Sequence, residues 1–447
     1  MVSNAFVIYA IPFLQLYPKY LCPEDLPECT HRDRCGRNDI LIDWDSIYSL
    51  KNWVQRLDLE CTKPYLIAGI GSSHFLGWML GSLLVTRIGD LYGRKLPFIS
   101  AQLLGSMMQL TLLFTTDIHI MIGLFFFTGM AASGRFTLAH VYLQELMPIK
   151  YRSHAGTTVQ FIDSMLVVVV SLYHRFITKE WYPLQIFAAC SMVISLGATM
   201  VIPESPKYLY SKGRYDEARK VLQFVQNFGS QNKQENVQVI FDTEVKGQDI
   251  IVDQKGNIID LLRNRQYLGN LFAFSLQWIT GIFAYYSIYF QLKYFEGDIY
   301  TNVIIAGASE MCSNFITGLI FARLGVTRTY LLSYFFGITC STLFIFLPPS
   351  LDYLVPLILL GAFYGYSSVV LVNWISTPQL FPVIYSSSAI GICNVFARLA
   401  TIVAPQVAEI EQPIPMVVIS VLGAISAMGC LMLKPYKGSG VHEKGQV

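Results

Sequence analysis

Glu145-Leu-Met-Pro148-Ile-Lys-Tyr-Arg152 closes one apolar stretch of helix length, and Gln379-Leu-Phe-Pro382-Val-Ile-Tyr-Ser386 closes another 234 residues later. A second pair keeps nearly that offset. Asp90-Leu-Tyr-Gly93-Arg94-Lys95 is echoed by Ala322-Arg323-Leu-Gly325-Val326-Thr327, 232 residues on. The two halves therefore read as copies of one six-helix unit, an organisation that points to secondary transport.

Composition fits that reading. With 53% hydrophobic residues, 14% charged residues and a mean hydropathy of +0.46, the chain is far less charged than a soluble protein, where roughly a quarter of residues carry charge. Apolar runs near the length that crosses about 30 Å of hydrocarbon lie at 1–17, 64–86, 97–115, 118–143, 155–176 and 184–202. Six more lie at 267–290, 301–322, 329–347, 353–375, 388–407 and 414–433. Backbone polar groups must be paired in lipid, and no alternating barrel pattern competes, so the runs are expected to be helices. The expected fold is an all-α membrane protein with twelve transmembrane helices in two pseudo-symmetric six-helix bundles. Its divisions are 1–202 with an outer loop at 18–63, an inner linker at 203–266, and 267–447.

Arg87, Arg94, Lys95, Lys150, Arg152, Arg323 and Arg328 fall in short connections on one side, which the positive-inside rule makes the inner side together with both termini. The first run starts almost at Met1 without the features of a cleaved leader and is read as a retained span. Net charge of +2 gives no reason to expect a nucleic-acid partner. Asn-x-Ser/Thr does not occur, which mildly favours an organelle membrane, the mitochondrial inner membrane among them, over the plasma membrane.

Cys22, Cys29, Cys35 and Cys61 crowd into the outer loop, where three pairings are open and at least one disulfide is expected; free thiols or a metal site are the alternatives. In the linker, Tyr215-Asp-Glu-Ala-Arg-Lys-Val-Leu-Gln-Phe reads as a short amphipathic helix, with Leu222 and Val225 on the apolar face laid on the inner membrane surface. Enzyme chemistry has no support: there is no Walker loop, HExxH or Cys-x-x-Cys, so no catalytic residues, metal or cofactor are expected.

At this point the residues resemble the major facilitator superfamily, and within it the organic ion transporters of anions, cations and carnitine. Asp90-x-x-Gly93-Arg94-Lys95 is similar to the superfamily's loop motif, and Pro203-Glu204-Ser205-Pro206 with Gly213-Arg214 is shared by sugar and organic ion porters. Narrower signals are Asn52-Trp-Val-Gln-Arg-Leu-Asp-Leu-Glu-Cys61, Phe283-Ala-Tyr285-Tyr286 and Ala397-Arg398-Leu-Ala-Thr-Ile-Val-Ala-Pro405. The resemblance covers nearly the whole chain. It implies alternating access and, through arginine at Arg398, a substrate with a carboxylate or similar anion, either an organic anion or a zwitterion.

Physical chemistry supports a functional Arg398, because an arginine at mid-span costs roughly 2.5–3.5 kcal/mol and is retained where it faces a cavity or a partner. The structural alternative is an ion pair with Glu310 or Asp163. Tyr285, Tyr286, Trp278 and Trp374 would wall an aromatic pocket, while Asn394, one turn before Arg398, would add a polar contact. Arg135 departs from the resemblance and is either a second anion contact or a partner of Asp163. Asp90, Gly93, Arg94, Lys95, Glu145 and Arg152 are expected to gate the inner side where the halves meet. Asp163 and Glu310, with His74, are titratable groups placed to couple a proton.

The second copy has lost gating charges: Ala322 stands at the acid's place, Val326-Thr327 at the basic pair, and Gln379 and Ser386 at the acid and base of the other repeat. Two other readings therefore stand beside a carrier of organic anions or zwitterions. One is a transport-inactive structural subunit of a larger membrane complex. The other is a sugar or organic cation carrier, although the seventh run offers only Gln277 and Asn270 as sugar-type amides.

Overall fold

The computed structural model describes residues 2–434 except 25–28, 36, 38, 148, 230–260, 262, 293–297 and 382. The first half runs through α1 (Val2–Leu14), α2 (Pro64–Tyr92), α3 (Lys95–Leu112), α4 (Ile118–Ala132), α5 (Ile149–Phe176) and α6 (Tyr182–Val201). α4 is prolonged by a π-helical turn, Ser133–Leu138, and a last helical piece, Ala139–Leu146. The second half opens with α7 (Arg265–Gln291). There follows one 47-residue element, Ile299–Ile345, broken at Gly325 into the arms α8 and α9. α10 (Val355–Leu380), α11 (Val383–Thr401), the short Ala404–Ala408 helix and α12 (Ile414–Gly429) complete it.

Among the described residues, nine helical stretches are long and apolar enough to cross a membrane, and Ile299–Ile345 is long enough to do so twice. Their outward faces carry Leu84, Phe187, Ile194, Phe335 and Leu357 in exposed positions, as lipid-facing helices require. This is an integral, multi-pass membrane protein.

Local chemistry sets the helix ends. Pro64 opens α2, where its missing N–H costs no helix hydrogen bond. Asp117, Asn264 and Asp298 cap α4, α7 and α8 by accepting main-chain N–H donors of the first turn. The duplication shows most directly in two glycines. Gly93, between α2 and α3, has φ 99° and ψ 171°, and Gly325, between α8 and α9, has φ 75° and ψ −177°. Both sit in the region that only glycine occupies readily, so the two helix reversals share one backbone solution.

Between α1 and α2 lies a small lobe. The two-residue strands Tyr20–Leu21 and Leu41–Ile42 pair antiparallel, and disulfides join Cys22 to Cys29 and Cys35 to Cys61. The lobe is tied to the bundle: Asn52 donates to the carbonyls of Phe13 and Leu16, and Lys179 Nζ donates to those of Trp44 and Ser46. This end of the molecule is called the disulfide end below; the opposite one, bearing Gly93, is the Arg94 end.

At the disulfide end the halves are closed on each other. Arg175 of α5 pairs with Asp298 at the start of α8, Ser171 Oγ donates to the Tyr300 carbonyl at 3.0 Å, and Ser72 Oγ donates to the Ile402 carbonyl at 2.7 Å.

At the Arg94 end, Pro206–Ser211 and Tyr215–Gly229 form two further helices. In the second, Ala218 and Val221 are buried against Leu209, with Leu146 and Tyr208 alongside, so that side of the helix packs under the first half, while Leu222 and Val225 are half-buried.

Candidate functional site

A cavity open to solvent lies between the halves. The first half contributes Tyr9 from α1, Trp78 from α2, Phe136 from the π turn, and Gln160 and Asp163 from α5. Facing them are Tyr285 and Tyr286 of α7, Glu310 of α8, Trp374 of α10 and Arg398 of α11.

Arg398 is the centre of its charge. The side chain is 2% exposed, its guanidinium carbon lies 3.7 Å from the centroid of the Trp78 ring, and the Tyr286 ring is 6.0 Å away on another side. Neither Nε nor Nη1 has a hydrogen-bond partner among the described residues. No ion pair joins Arg398 to Glu310 or Asp163 there either. A buried guanidinium with unspent donors, held on an indole face, is suited to a ligand carrying a carboxylate or sulfonate.

The two carboxylates are engaged elsewhere. Tyr9 Oη donates to Asp163 Oδ2 at 2.7 Å, Tyr285 Oη donates to Glu310 Oε2 at 3.0 Å, and the two phenol oxygens are 3.3 Å apart. Tyr9 and Trp78 escaped the sequence reading. A signal for Trp78 was nonetheless present in α2, where Gly71, Phe75 and Trp78 fall one helical turn apart on one stripe. That stripe faces the second half at Pro405, Tyr286 and Arg398.

Other residues singled out in the sequence lie beside the cavity or away from it. Trp374 lines it and meets Trp278 edge to face at 4.8 Å, but Trp278 itself is fully buried behind and does not reach the wall. Asn394 is buried and donates back to the Ile390 carbonyl of its own helix at 3.2 Å.

Arg135 is not among the residues lining the cavity. The π turn aims it into the first half, where Nη1 meets Met192 Sδ of α6 at 3.2 Å. Gly105 of α3 makes the room, since a Cβ there would stand 2.6 Å from the guanidinium carbon.

The described gating residues contact one another and the turn that follows α6. Arg94 Nε reaches Glu145 Oε2 at 3.2 Å, and that oxygen accepts from Ser205 Oγ at 2.6 Å. Glu204 Oε1 accepts from the main-chain N–H groups of Arg94, Lys95 and Ser205 at 2.8, 3.2 and 2.8 Å. Lys95 Nζ donates to the Met200 carbonyl. All of these contacts lie inside the first half: they fasten α3, α4 and the Pro203-Glu-Ser-Pro206 turn to one another. The side chains of Asp90 and Arg152 lie outside the described residues.

The sequence profile described as Major Facilitator Superfamily matches residues 61–405, most of the chain. This chain belongs to that superfamily. Among its relatives, solute carrier family 22 member 16 of Xenopus laevis is 25% identical over 361 residues, covering 79% of this chain and 62% of its own length. Organic cation/carnitine transporter 2 of Homo sapiens is 23% identical over 366 residues (80% and 64%). Organic anion transporter 3 of Rattus norvegicus is 25% identical over 408 residues (89% and 72%). The chain thus spans a little over three fifths of the length of the first two. Among solved structures, the superfamily's proton:xylose symporter XylE bound to 6-bromo-6-deoxy-D-glucose superposes with a TM-score of 0.63 at 14% identity, over 96% of this chain and 94% of XylE. At that identity the likeness speaks for the fold alone.

Proposed function

We propose that the protein carries small organic anions or zwitterions across a membrane by alternating access, binding the anionic group at Arg398. One observation carries the reading: Arg398 sits in the cavity between the halves with two donor positions unspent and no acidic partner among the described residues. Its surroundings suit the rest of such a substrate, because Trp78, Phe136, Tyr286 and Trp374 give an aromatic wall for an apolar body. The relatives are named for both anions and cations, so the sign of the preferred charge rests on Arg398.

Closure at the disulfide end fits one state of the alternating cycle, with access expected from the Arg94 end. The basic residues at that end support a cytoplasmic or matrix-facing position for it. A subunit role in a larger membrane complex gains nothing from relatives named as carriers.

The test is uptake into liposomes containing the full chain, comparing radiolabelled naphthalene-2-sulfonate, tetraethylammonium and D-xylose. Saturable uptake of the sulfonate alone, lost in Arg398→Gln protein that still elutes as a single species, supports the reading. Preference for tetraethylammonium or xylose replaces it with a cation or sugar carrier, and absence of all uptake favours a structural role.

A further inference from the structure

The chain of hydrogen bonds Asp163–Tyr9–Tyr285–Glu310 runs from one half of the molecule to the other. Asp163 and Tyr9 belong to α5 and α1, Tyr285 and Glu310 to α7 and α8, and the central contact between the two phenols crosses the interface. Three links must be made, yet the two hydroxyls own only two hydrogens. When both carboxyls are ionised, each phenol gives its hydrogen to the carboxylate beside it. The two phenol oxygens then face each other at 3.3 Å with lone pairs on both sides and nothing between them.

A single added proton resolves this. Placed on Glu310, it donates to Tyr285 Oη; the Tyr285 hydrogen turns to Tyr9 Oη; and Tyr9 keeps its bond to the Asp163 carboxylate. Placed on Asp163, it runs the same sequence in reverse. Either way all three links are satisfied, and the extra bond is the one that joins the halves.

The charges around the chain point the same way. Among the described residues, the titratable or charged groups facing it are Tyr286 and Tyr289 on α7 and Arg398 on α11. The α10 neighbour is the uncharged Phe363, 5.0 Å ring to ring from Tyr285, and α2 presents Trp78. With both acids ionised the described residues of the cavity wall carry two negative charges against the one positive charge of Arg398. An organic anion entering then leaves a net charge of minus two, while one proton on the chain reduces that to minus one. Proton and anion therefore favour each other's binding, by an equal factor in each direction.

We propose that Asp163, Tyr9, Tyr285 and Glu310 form one proton-binding site that latches the two halves together, and that the protein moves one proton in the same direction as each organic anion. The coupling rests on the anion-carrier reading above; the proton site does not. No covalent chemistry is involved, since the proton is taken from water on one side and returned on the other, with the two carboxyls and two phenols unchanged.

The experiment uses the full chain purified in detergent, with naphthalene-2-sulfonate as the anion because a sulfonate keeps its charge across the whole pH range. Infrared difference spectra follow the C=O stretch of a protonated carboxyl as pH is raised. In parallel, proton uptake is measured in weakly buffered solution as the sulfonate binds.

The expected result is a carboxyl band that titrates away with rising pH and is absent from the Asp163→Asn, Glu310→Gln double variant. About one proton is taken up per sulfonate, and affinity rises about tenfold for each unit of falling pH over the range in which the band titrates. Tyr9→Phe keeps both acids and the ring but removes the middle donor, and is expected to move the pH range over which the carboxyl band titrates. Absence of a titrating band in the wild type overturns the proton site. Sulfonate binding without proton uptake overturns the coupling. If the sulfonate does not bind at any pH, the anion-carrier reading fails, and the band alone then decides the proton site.

Discussion

The guanidinium carbon of Arg398 stands 3.7 Å from the centroid of the Trp78 ring, so a cation of the second half rests on an aromatic plane of the first. The contact orients the guanidinium without consuming its hydrogen-bond donors, two of which stay unspent. Replacing Arg398 by Gln should therefore weaken organic-anion binding by roughly 1.5–3 kcal/mol, or about 10- to 150-fold, the usual worth of a hydrogen bond to a charged group. Arg398→Lys keeps the charge but not the planar stack on Trp78, and should fall between wild type and Arg398→Gln. Calorimetric titration with naphthalene-2-sulfonate gives both values, and equal affinity in all three proteins removes Arg398 from the site.

The two helix reversals should respond differently to the same mutation. Alanine at Gly93 or Gly325 is forced into a backbone region that costs about 1–3 kcal/mol. At Gly93 the new Cβ would also lie 2.4 Å from Glu204 Oε2, whereas nothing stands within 4 Å at Gly325. Gly93→Ala should lower the apparent melting temperature in detergent more than Gly325→Ala does. Equal shifts would mean that Glu204 moves aside freely.

The two disulfides differ in the length of chain they close, 26 residues of separation for Cys35–Cys61 against 7 for Cys22–Cys29. The entropy removed from the unfolded lobe grows with that length. Cys35→Ser with Cys61→Ser is expected to speed limited proteolysis of the lobe more than Cys22→Ser with Cys29→Ser. Peptide mapping under non-reducing conditions checks the pairing itself.

Asp117 outside the membrane offers a pH test. Its carboxylate accepts from the main-chain N–H groups of Ile120 and His119, which hold its pKa below the ordinary carboxylate value. A group depressed in the folded state stabilises in full above its unfolded pKa, near 4, and loses that contribution as pH falls through the folded value. The difference in apparent melting temperature between wild type and Asp117→Ala should therefore be flat around neutrality and shrink in acid. Asp117→Asn, which caps without titrating, should show no such closing. A gap that widens in acid reverses the sign and rejects the assignment.

Much of the architecture was legible in the chain because lipid imposes a coarse and strong rule: long apolar runs must be helices. The repeat at Gly93 and Gly325 was legible too, because a backbone that needs glycine leaves glycine behind in both copies. Arg398 stood out because a charge at mid-span is expensive. What the sequence withheld depended on which way a side chain turns. Tyr9 and Trp78 are unremarkable aromatics in apolar runs until the halves are set face to face. Arg135, as anomalous in sequence as Arg398, is turned away from the cavity by a π-helical turn that no local pattern announced. The contacts of Arg94, Lys95 and Glu145 could not be read from the chain, because they depend on the Pro203-Glu-Ser-Pro206 turn folding back beneath the first half.

That turn leaves the duplicated halves unequal. In the first, the reversal at Gly93 is pinned by the Glu204 carboxylate, which takes the main-chain donors of the two residues that follow it, Arg94 and Lys95. In the second, the same bend at Gly325 closes on empty space, with Ala322, Val326 and Thr327 where charges would be. One copy is anchored at its reversal, while an added Cβ at the other would meet nothing within 4 Å among the described residues. A symmetric blueprint has thus been worn unevenly, and further sequence drift is cheaper around 325 than around 93.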